Sequence, residues 1–413
     1  MFITNTLIRG KEGLWDLEIE NGFFTKIVPA GVIPVPEHAI DGKEKLLMPP
    51  FVEPHIHLDC VMTVGQPRFN MSGTLFEGIQ IWSEYKEQIP LTKELIKKNA
   101  GKAIEMQVSH GVQFIRTHVD TTQESLIGLE ALLELKEEMK GKVEIQLVAF
   151  PQSGIYSYPK GDKLMIRAIE MGADAIGAIP HFEFCREYGI DSINFITELA
   201  VKYDRMIDVH CDEIDDGQSR FLEVLATKAY ERQIGSRVVA SHTVAMHSYN
   251  NAYCSKLFKL LKLSGIRFAS CPTESIHLQG RIDPFPKRRG ITRVRELSQE
   301  GMNVALGQDS IADPWYPAGE GNLLRVLDMG LHACHMLGFE DINRSLDFIS
   351  INGARNLCIE DQYGIEEGKP ANFIILNAQN DYEAVRHLRE VLFSVHNGEV
   401  IMKQTPASVE LTI

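Results

Sequence analysis

Two histidines two residues apart, His55 and His57 in Pro54-His55-Ile56-His57-Leu58-Asp59, close an apolar run that begins at Phe51. In an extended strand, residues i and i+2 share a face, so both imidazoles can reach one cation. Other polar residues close other apolar, β-branched runs: His210 after Ile207-Asp208-Val209, His242 after Val238-Val239-Ala240, and Asp309 soon after Val304-Ala305-Leu306. Imidazoles with a carboxylate suit Zn²⁺, Fe²⁺ or Mn²⁺. A single open-site ion lowers the pKa of its water to about 7 and turns that water into a nucleophile for an electrophilic carbon. Glu213, three residues after His210 in His210-Cys211-Asp212-Glu213, is close enough to exchange protons with such a water while staying off the ion. The competing reading is a polar network that only caps strand ends. The recurrence of polar residues at the same end of several strands favours a metal or acid-base site.

Apolar segments at Phe51–His57, Val112–Val119, Val143–Phe150, Ala175–Ile179, Met206–His210, Val238–His242, Ile266–Cys271 and Asn303–Asp309 must position these residues. Between them, stretches such as Thr92–His110, Glu124–Lys140 and Ser192–Lys202 carry apolar residues at helical spacing. Eight strand-helix units predict an α/β protein with a (β/α)₈ barrel, a doubly wound open sheet being the weaker alternative. Barrel active sites lie at the C-terminal ends of the strands, where His55, His57, His210, His242 and Asp309 fall. Both termini instead carry short alternating runs with hairpin signals at Asn21-Gly22 and Asn397-Gly398. The expected division is a small β domain from residues 1–50 and 361–413 beside a metal-dependent catalytic barrel over residues 51–360.

The 42 Lys+Arg against 56 Asp+Glu leave a net charge of −14, which repels phosphate backbones and anionic lipid, so neither nucleic acid nor a membrane is an expected partner. Seven cysteines without a CxxC pair read as reduced thiols. No run is apolar enough for a signal peptide or a spanning helix, and the expected location is the cytoplasm. The cluster Lys287-Arg288-Arg289 reads as a solvated loop or an oligomer contact, and Gly364-Ile365-Glu366-Glu367-Gly368-Lys369 as a turn and not a phosphate loop. His118, Asp120 and His181 read equally well as supporting partners of the site or as ordinary polar strand ends. Cys211 reads as a buried structural thiol. The fourth segment ends in Ala178-Ile179-Pro180-His181 without the lysine that a bridged pair of ions would use, which favours one ion.

The motifs Pro54-His55-Ile56-His57-Leu58-Asp59, His210-Cys211-Asp212-Glu213-Ile214-Asp215-Asp216, Ser241-His242-Thr243 and Asp313-Pro314-Trp315-Tyr316-Pro317 together resemble the cytosine deaminases of the amidohydrolase superfamily. The likeness extends over nearly the whole chain, including His277-Leu278-Gln279-Gly280-Arg281 and Pro286-Lys287-Arg288-Arg289-Gly290. It implies a distorted barrel beside a small β-sandwich, with His55, His57, His210 and Asp309 holding one divalent ion. It further implies that Glu213 shuttles protons, that His242 orients the attacking water and that Asp309 doubles as ligand and base. Gln152 would hold the ring's carbonyl and N–H edge and Trp315 would line the pocket. The implied reaction is hydrolytic deamination of a small-molecule aminopyrimidine, with ammonia as product and a homo-oligomer as the assembly.

Two departures bear on the substrate. The deaminases carry a second carboxylate after the aspartate ligand, where this chain has Ser310, and mostly uncharged residues where it has Cys271-Pro272-Thr273-Glu274-Ser275. The serine is expected to open space and to remove a charged acceptor, which suits cytosine, a 5-substituted cytosine such as 5-methylcytosine, or isocytosine. A ring-opening cyclic-amide hydrolase and a non-catalytic nucleobase-binding barrel are the alternatives.

Overall fold

The structure, a computed structural model, describes residues 1–412. The chain opens with β1 (Phe2–Ile8), β2 (Leu14–Glu20), β3 (Phe23–Pro29), β4 (Ile40–Asp41) and β5 (Leu46–Met48). Asn21 and Gly22, both at positive φ, make the tight turn that joins β2 to β3. Eight strands follow: β6 (Phe51–Ile56), β7 (Val112–Asp120), β8 (Glu144–Phe150), β9 (Ala175–Ile176), β10 (Met206–Cys211), β11 (Val238–His242), β12 (Arg267–Ser270) and β13 (Val304–Leu306). They pair in chain order and in parallel. Their residues are almost all buried, as expected of parallel strands covered by crossover helices, so the strands read as apolar runs rather than alternating ones.

The crossover helices grow from local signals. Thr92 caps the helix Lys93–Ser109 by accepting the Leu95 amide, and Ile96, Ala100, Ala103, Ile104 and Gln107 form its buried stripe. Helices Ile127–Met139 and Arg186–Tyr203 occupy two of the other stretches with helical spacing. Burial of each Leu or Ile on these stripes favours the fold by about 1.5–3 kcal/mol before entropy is counted.

The chain then returns through β14 (Phe373–Leu376), β15 (Val391–His396) and β16 (Glu399–Lys403) to the sheet it began. That mixed sheet has the order β16-β15-β14-β5-β1-β2-β3, with β4 on β1. The barrel with a small β unit drawn from both ends is therefore the observed architecture. Gln113 of β7 fastens the two by donating to Ser394 Oγ and the Val395 carbonyl, each at 2.9 Å.

The barrel seam closes at one bridge, between Ile56 and Asp309. Asp309 N–H donates to the His55 carbonyl at 2.9 Å, and His57 N–H donates to the Asp309 carbonyl at 3.1 Å. Gly307 permits this approach, because a Cβ there would stand 2.7 Å from Glu53 Oε1 and 3.1 Å from the His55 carbonyl. The fourth strand is shorter than expected: its ladder covers Ala175–Ile176, and the chain turns into a 3₁₀ segment at Pro180, which has no N–H to extend a ladder. All seven cysteines are free thiols, and among the described residues no helix is long and apolar enough to cross a membrane.

Candidate active site

His55 and His57 stand at the end of β6, His210 in β10, His242 at the end of β11, and Asp309 three residues beyond β13. Glu213 and Gln152 each follow their strand by two residues, and Ser310 and Trp315 lie on the loop after β13. The period of two within each strand and the common parallel direction send these side chains to one end of the barrel. A cavity of about 290 Å³ opens there, lined by His57, Gln152, His210, Glu213, His242, Asp309, Ser310 and Trp315, with Leu75 and Glu274 completing the wall. His55 lies buried against this group, its ring 4.6 Å from those of His210 and His242.

Nitrogens of His55, His57 and His210 lie within 4.8 Å of one another, as do ligand atoms of His55, His242 and Asp309, and those of His210, Glu213 and His242. His57 Nε2 faces His210 Nε2 at 3.0 Å, while Asp309 Oδ1 is 3.5 Å from both His55 Nε2 and His57 Nε2. On the other side Asp309 Oδ2 is 3.6 Å, and Glu213 Oε1 3.7 Å, from His242 Nδ1. His242 and Asp309 both take left-handed backbone conformations, with φ of 66° and 68°, a strained state that recurs where side chains must be aimed.

The electrostatics fit a divalent cation. Burial, reinforced by neighbouring imidazoles, drives His55, His57 and His210 well below the ordinary histidine value and His242 down to about 3, so their lone pairs are free to ligate. Burial pushes Glu213 well above the carboxylate range, aided by Glu274; it does the same to Asp309, aided by Glu213 and Asp313. His55 Nε2 and His210 Nδ1 are buried without a hydrogen-bond partner. Neutral imidazoles with unshared nitrogens beside mutually repelling carboxyls are what a cation would stabilise. The donor set of His55, His57, His210 and Asp309 therefore fits one divalent ion, and the nitrogen-oxygen mixture suits a first-row transition metal or zinc.

A buried polar layer orients the imidazoles. Ser241 Oγ donates to Asp208 Oδ1 at 2.6 Å and so accepts from His55 Nδ1 at 3.0 Å, leaving His55 Nε2 unprotonated toward the cavity. Asp208 also accepts from Arg116 at 3.1 Å and lies 3.4 Å from His118 Nε2. Burial raises the Asp208 carboxyl, but His118, Arg116 and Ser241 together hold it below the ordinary value. His118 thus belongs to this layer, with its ring 4.0 Å from that of His55. Asp120 does not: it binds Lys86, Trp82 and Thr122. Burial takes His181 down to about 3, and it lies off the cavity, in the 3₁₀ turn after β9.

Trp315 is held by Asp313, which accepts its amide at 2.9 Å, and its indole covers Gly78, where a Cβ would lie 2.5 Å from the ring. The basic loop is spent on the chain itself: Lys287 Nζ donates to the carbonyls of Gly280, Arg281 and Asp283, and Arg288 to Asp283. Cys211 is buried.

Ser310 lines the cavity without the second carboxylate, but Glu274 brings another acid to the same wall. The helix Pro272–Leu278 turns this residue inward, and its carboxyl faces Ser310 and Asp309, so a second acid reaches the cavity from β12 rather than from the loop after β13. Asp208, Arg116, Ser241 and Leu75 were also absent from the sequence-derived site. The first two carry a readable signal: Arg116-His118 and Asp208-His210 repeat the two-residue spacing of His55-His57.

The amidohydrolase family model matches residues 38–402. The chain superimposes on the crystal structure of 5-methylcytosine deaminase from Klebsiella pneumoniae liganded with 5-fluorocytosine with a TM-score of 0.97 at 55% identity, covering 100% of this chain and 99% of that one. The same deaminase liganded with phosphonocytosine gives 0.97 and 55%, with 100% of both chains covered. N-isopropylammelide isopropyl amidohydrolase of Pseudomonas sp. (strain ADP) is 29% identical over 413 residues, 98% of this chain and 97% of the relative.

Proposed function

The chain belongs to the amidohydrolase family, and from that membership we propose that it hydrolytically deaminates a free cytosine-like base, releasing ammonia and the oxo base. The observation that carries this reading is the convergence of His57, His210, His242, Glu213 and Asp309 on one cavity at the end of the barrel. The full-length likeness to 5-methylcytosine deaminase supports a 5-substituted cytosine, with cytosine and isocytosine as lesser substrates.

His55, His57, His210 and Asp309 would hold one divalent cation, Zn²⁺ or Fe²⁺ with Mn²⁺ as a third candidate, which when bound acidifies a water and polarises the reaction centre. Gln152 binds the ring's carbonyl and N–H edge, and Trp315 forms the wall of the slot. Glu213 moves a proton from the attacking water to the ring nitrogen beside the amino-bearing carbon, so that negative charge does not build there. His242 orients the water, Asp309 takes the remaining proton of the added hydroxyl and passes it to the amino group, which leaves as ammonia, and Ser310 leaves room for a ring substituent. In this reading residues 51–360 are the catalytic domain and residues 1–50 with 361–413 the small one. The protein acts in the cytoplasm as a homo-oligomer, which light scattering after size exclusion checks.

The experiment is a screen of cytosine, 5-methylcytosine and isocytosine with metal-loaded protein, read as ammonia release. A ring-opened acid in place of ammonia identifies a cyclic-amide hydrolase, and tight binding without product identifies a nucleobase-binding barrel.

A further inference from the structure

Glu274 is 4% exposed and its side chain lies in the wall of the cavity next to Ser310. One carboxyl oxygen, Oε2, is buried without a hydrogen-bond partner. Ser310 reaches the carboxyl with its hydroxyl, but the ionisable groups that face it, Asp309, Asp313 and Glu213, are themselves carboxyls and leave Oε2 without a donor. A buried acceptor left unpaired loses its hydration with nothing in return, and the cavity is the place from which a partner can come. A methyl group placed there fills the space beside Ser310 but leaves Oε2 dry and unpaired. A substituent ending in O–H or N–H fills the same space and donates to it.

We infer that Glu274 reads the substituent on ring carbon 5, accepting a hydrogen bond from a hydroxyl or amino group, and that the pocket therefore prefers 5-hydroxymethylcytosine to 5-methylcytosine. The inference rests on the deaminase reading above, which puts the base in this cavity with its 5-substituent in the space left by the serine at 310. Glu274 is a specificity residue in this account and takes no part in moving protons. Sites built to hydrogen-bond a substrate hydroxyl discriminate strongly against the analogue lacking it, whereas apolar pockets separate two ligands of similar size only weakly.

The test compares initial rates of ammonia release from cytosine, 5-methylcytosine and 5-hydroxymethylcytosine by metal-loaded wild type, Glu274→Val and Glu274→Gln, with melting temperature and metal content followed for each. The expected kcat/KM for 5-hydroxymethylcytosine exceeds that for 5-methylcytosine by at least about tenfold, the cost of leaving a buried acceptor unpaired. Glu274→Val should bring that ratio to one or below and Glu274→Gln should leave it intermediate. A merely structural glutamate would lower all three rates together and leave the ratio alone. A wild-type ratio at or below one, or a ratio that the substitutions do not move, overturns the role. If Glu274→Val fails to fold, the Gln variant carries the comparison. If none of the three bases yields ammonia, the deaminase reading fails instead. Calorimetric affinities of the two substituted bases for metal-loaded wild type then decide the role of Glu274, equal affinities overturning it.

Discussion

Asp309 is bonded on both sides of its peptide to the strand that carries the paired histidines, donating to the His55 carbonyl at 2.9 Å and accepting from His57 N–H at 3.1 Å. The seam that closes the barrel and the cluster fitted to a cation are therefore one structure. The carboxylate is aimed by strand closure. Asp309→Asn keeps both backbone bonds, so the metal-free variant should melt within a few degrees of metal-free wild type, a change below about 1 kcal/mol. Metal retained after dialysis should fall well below one equivalent, measured by elemental analysis. Full metal occupancy would remove Asp309 from the ligand set.

Glu213 is placed to shuttle protons. Glu213→Gln keeps its shape and should lower kcat by about 10²–10⁴-fold, the usual weight of general acid-base catalysis, with metal content and base affinity nearly unchanged. Loss of metal with unaltered turnover per bound ion would refute the assignment.

The Ser241 hydroxyl transmits the Asp208 charge to His55 Nδ1. Ser241→Ala should weaken metal binding by about 10–100-fold, the usual cost of losing a group that orients a ligand imidazole. Competition with a chromogenic chelator measures this. An unchanged affinity would mean that His55 is held by packing alone.

Chelation should abolish ammonia release, and one equivalent of Zn²⁺, Fe²⁺ or Mn²⁺ should restore it. Because Glu213, Glu274, Asp309 and Asp313 are all buried around the cavity, removal of the cation should also destabilise the fold, by about 4 kcal/mol for free metal at a thousand times Kd. Equal melting temperatures with and without metal would count against a site built for a cation.

Asp120 gives a pH dependence outside the site. Burial pushes its carboxyl up, but the Lys86 ammonium at 2.6 Å and the hydroxyl and amide of Thr122 outweigh that and hold it below the ordinary value. A carboxyl depressed in the folded state binds fewer protons there than in the unfolded chain. Its contribution is therefore complete above the unfolded pKa of about 3.9 and is lost as pH falls through the folded value. The stability gap between wild type and Asp120→Asn, from urea unfolding, should narrow as pH is lowered from 6 to 3. A gap constant over that range would contradict the ion pair.

Much of this was legible in the sequence because the barrel is written redundantly. Most strands are apolar runs of the right length, and the polar residues that end His55-Ile56-His57 or Val238–His242 mark the face where loops assemble a site. The fourth strand was overread because Gly177-Ala178-Ile179 is apolar, and apolarity does not reveal that Pro180 ends the ladder. Glu274 was visible only as a departure from the deaminase pattern. Its inward turn depends on the seven-residue helix Pro272–Leu278, whose orientation is fixed by neighbours distant in sequence. The Asp208–Arg116 pair was passed over because buried charges on apolar strands make sense only once both strands are known to face the same interior.

The mixed sheet has one further result, for the order in which the protein is made. While the polypeptide leaves the ribosome, β5 can pair with β1, but its other edge stays bare until β14 emerges, after the whole barrel has been synthesised. An open strand edge is a template for unwanted pairing with other chains. Until translation nears its end, Leu46–Met48 therefore presents an open edge to other chains, far in sequence from the residues that will shield it.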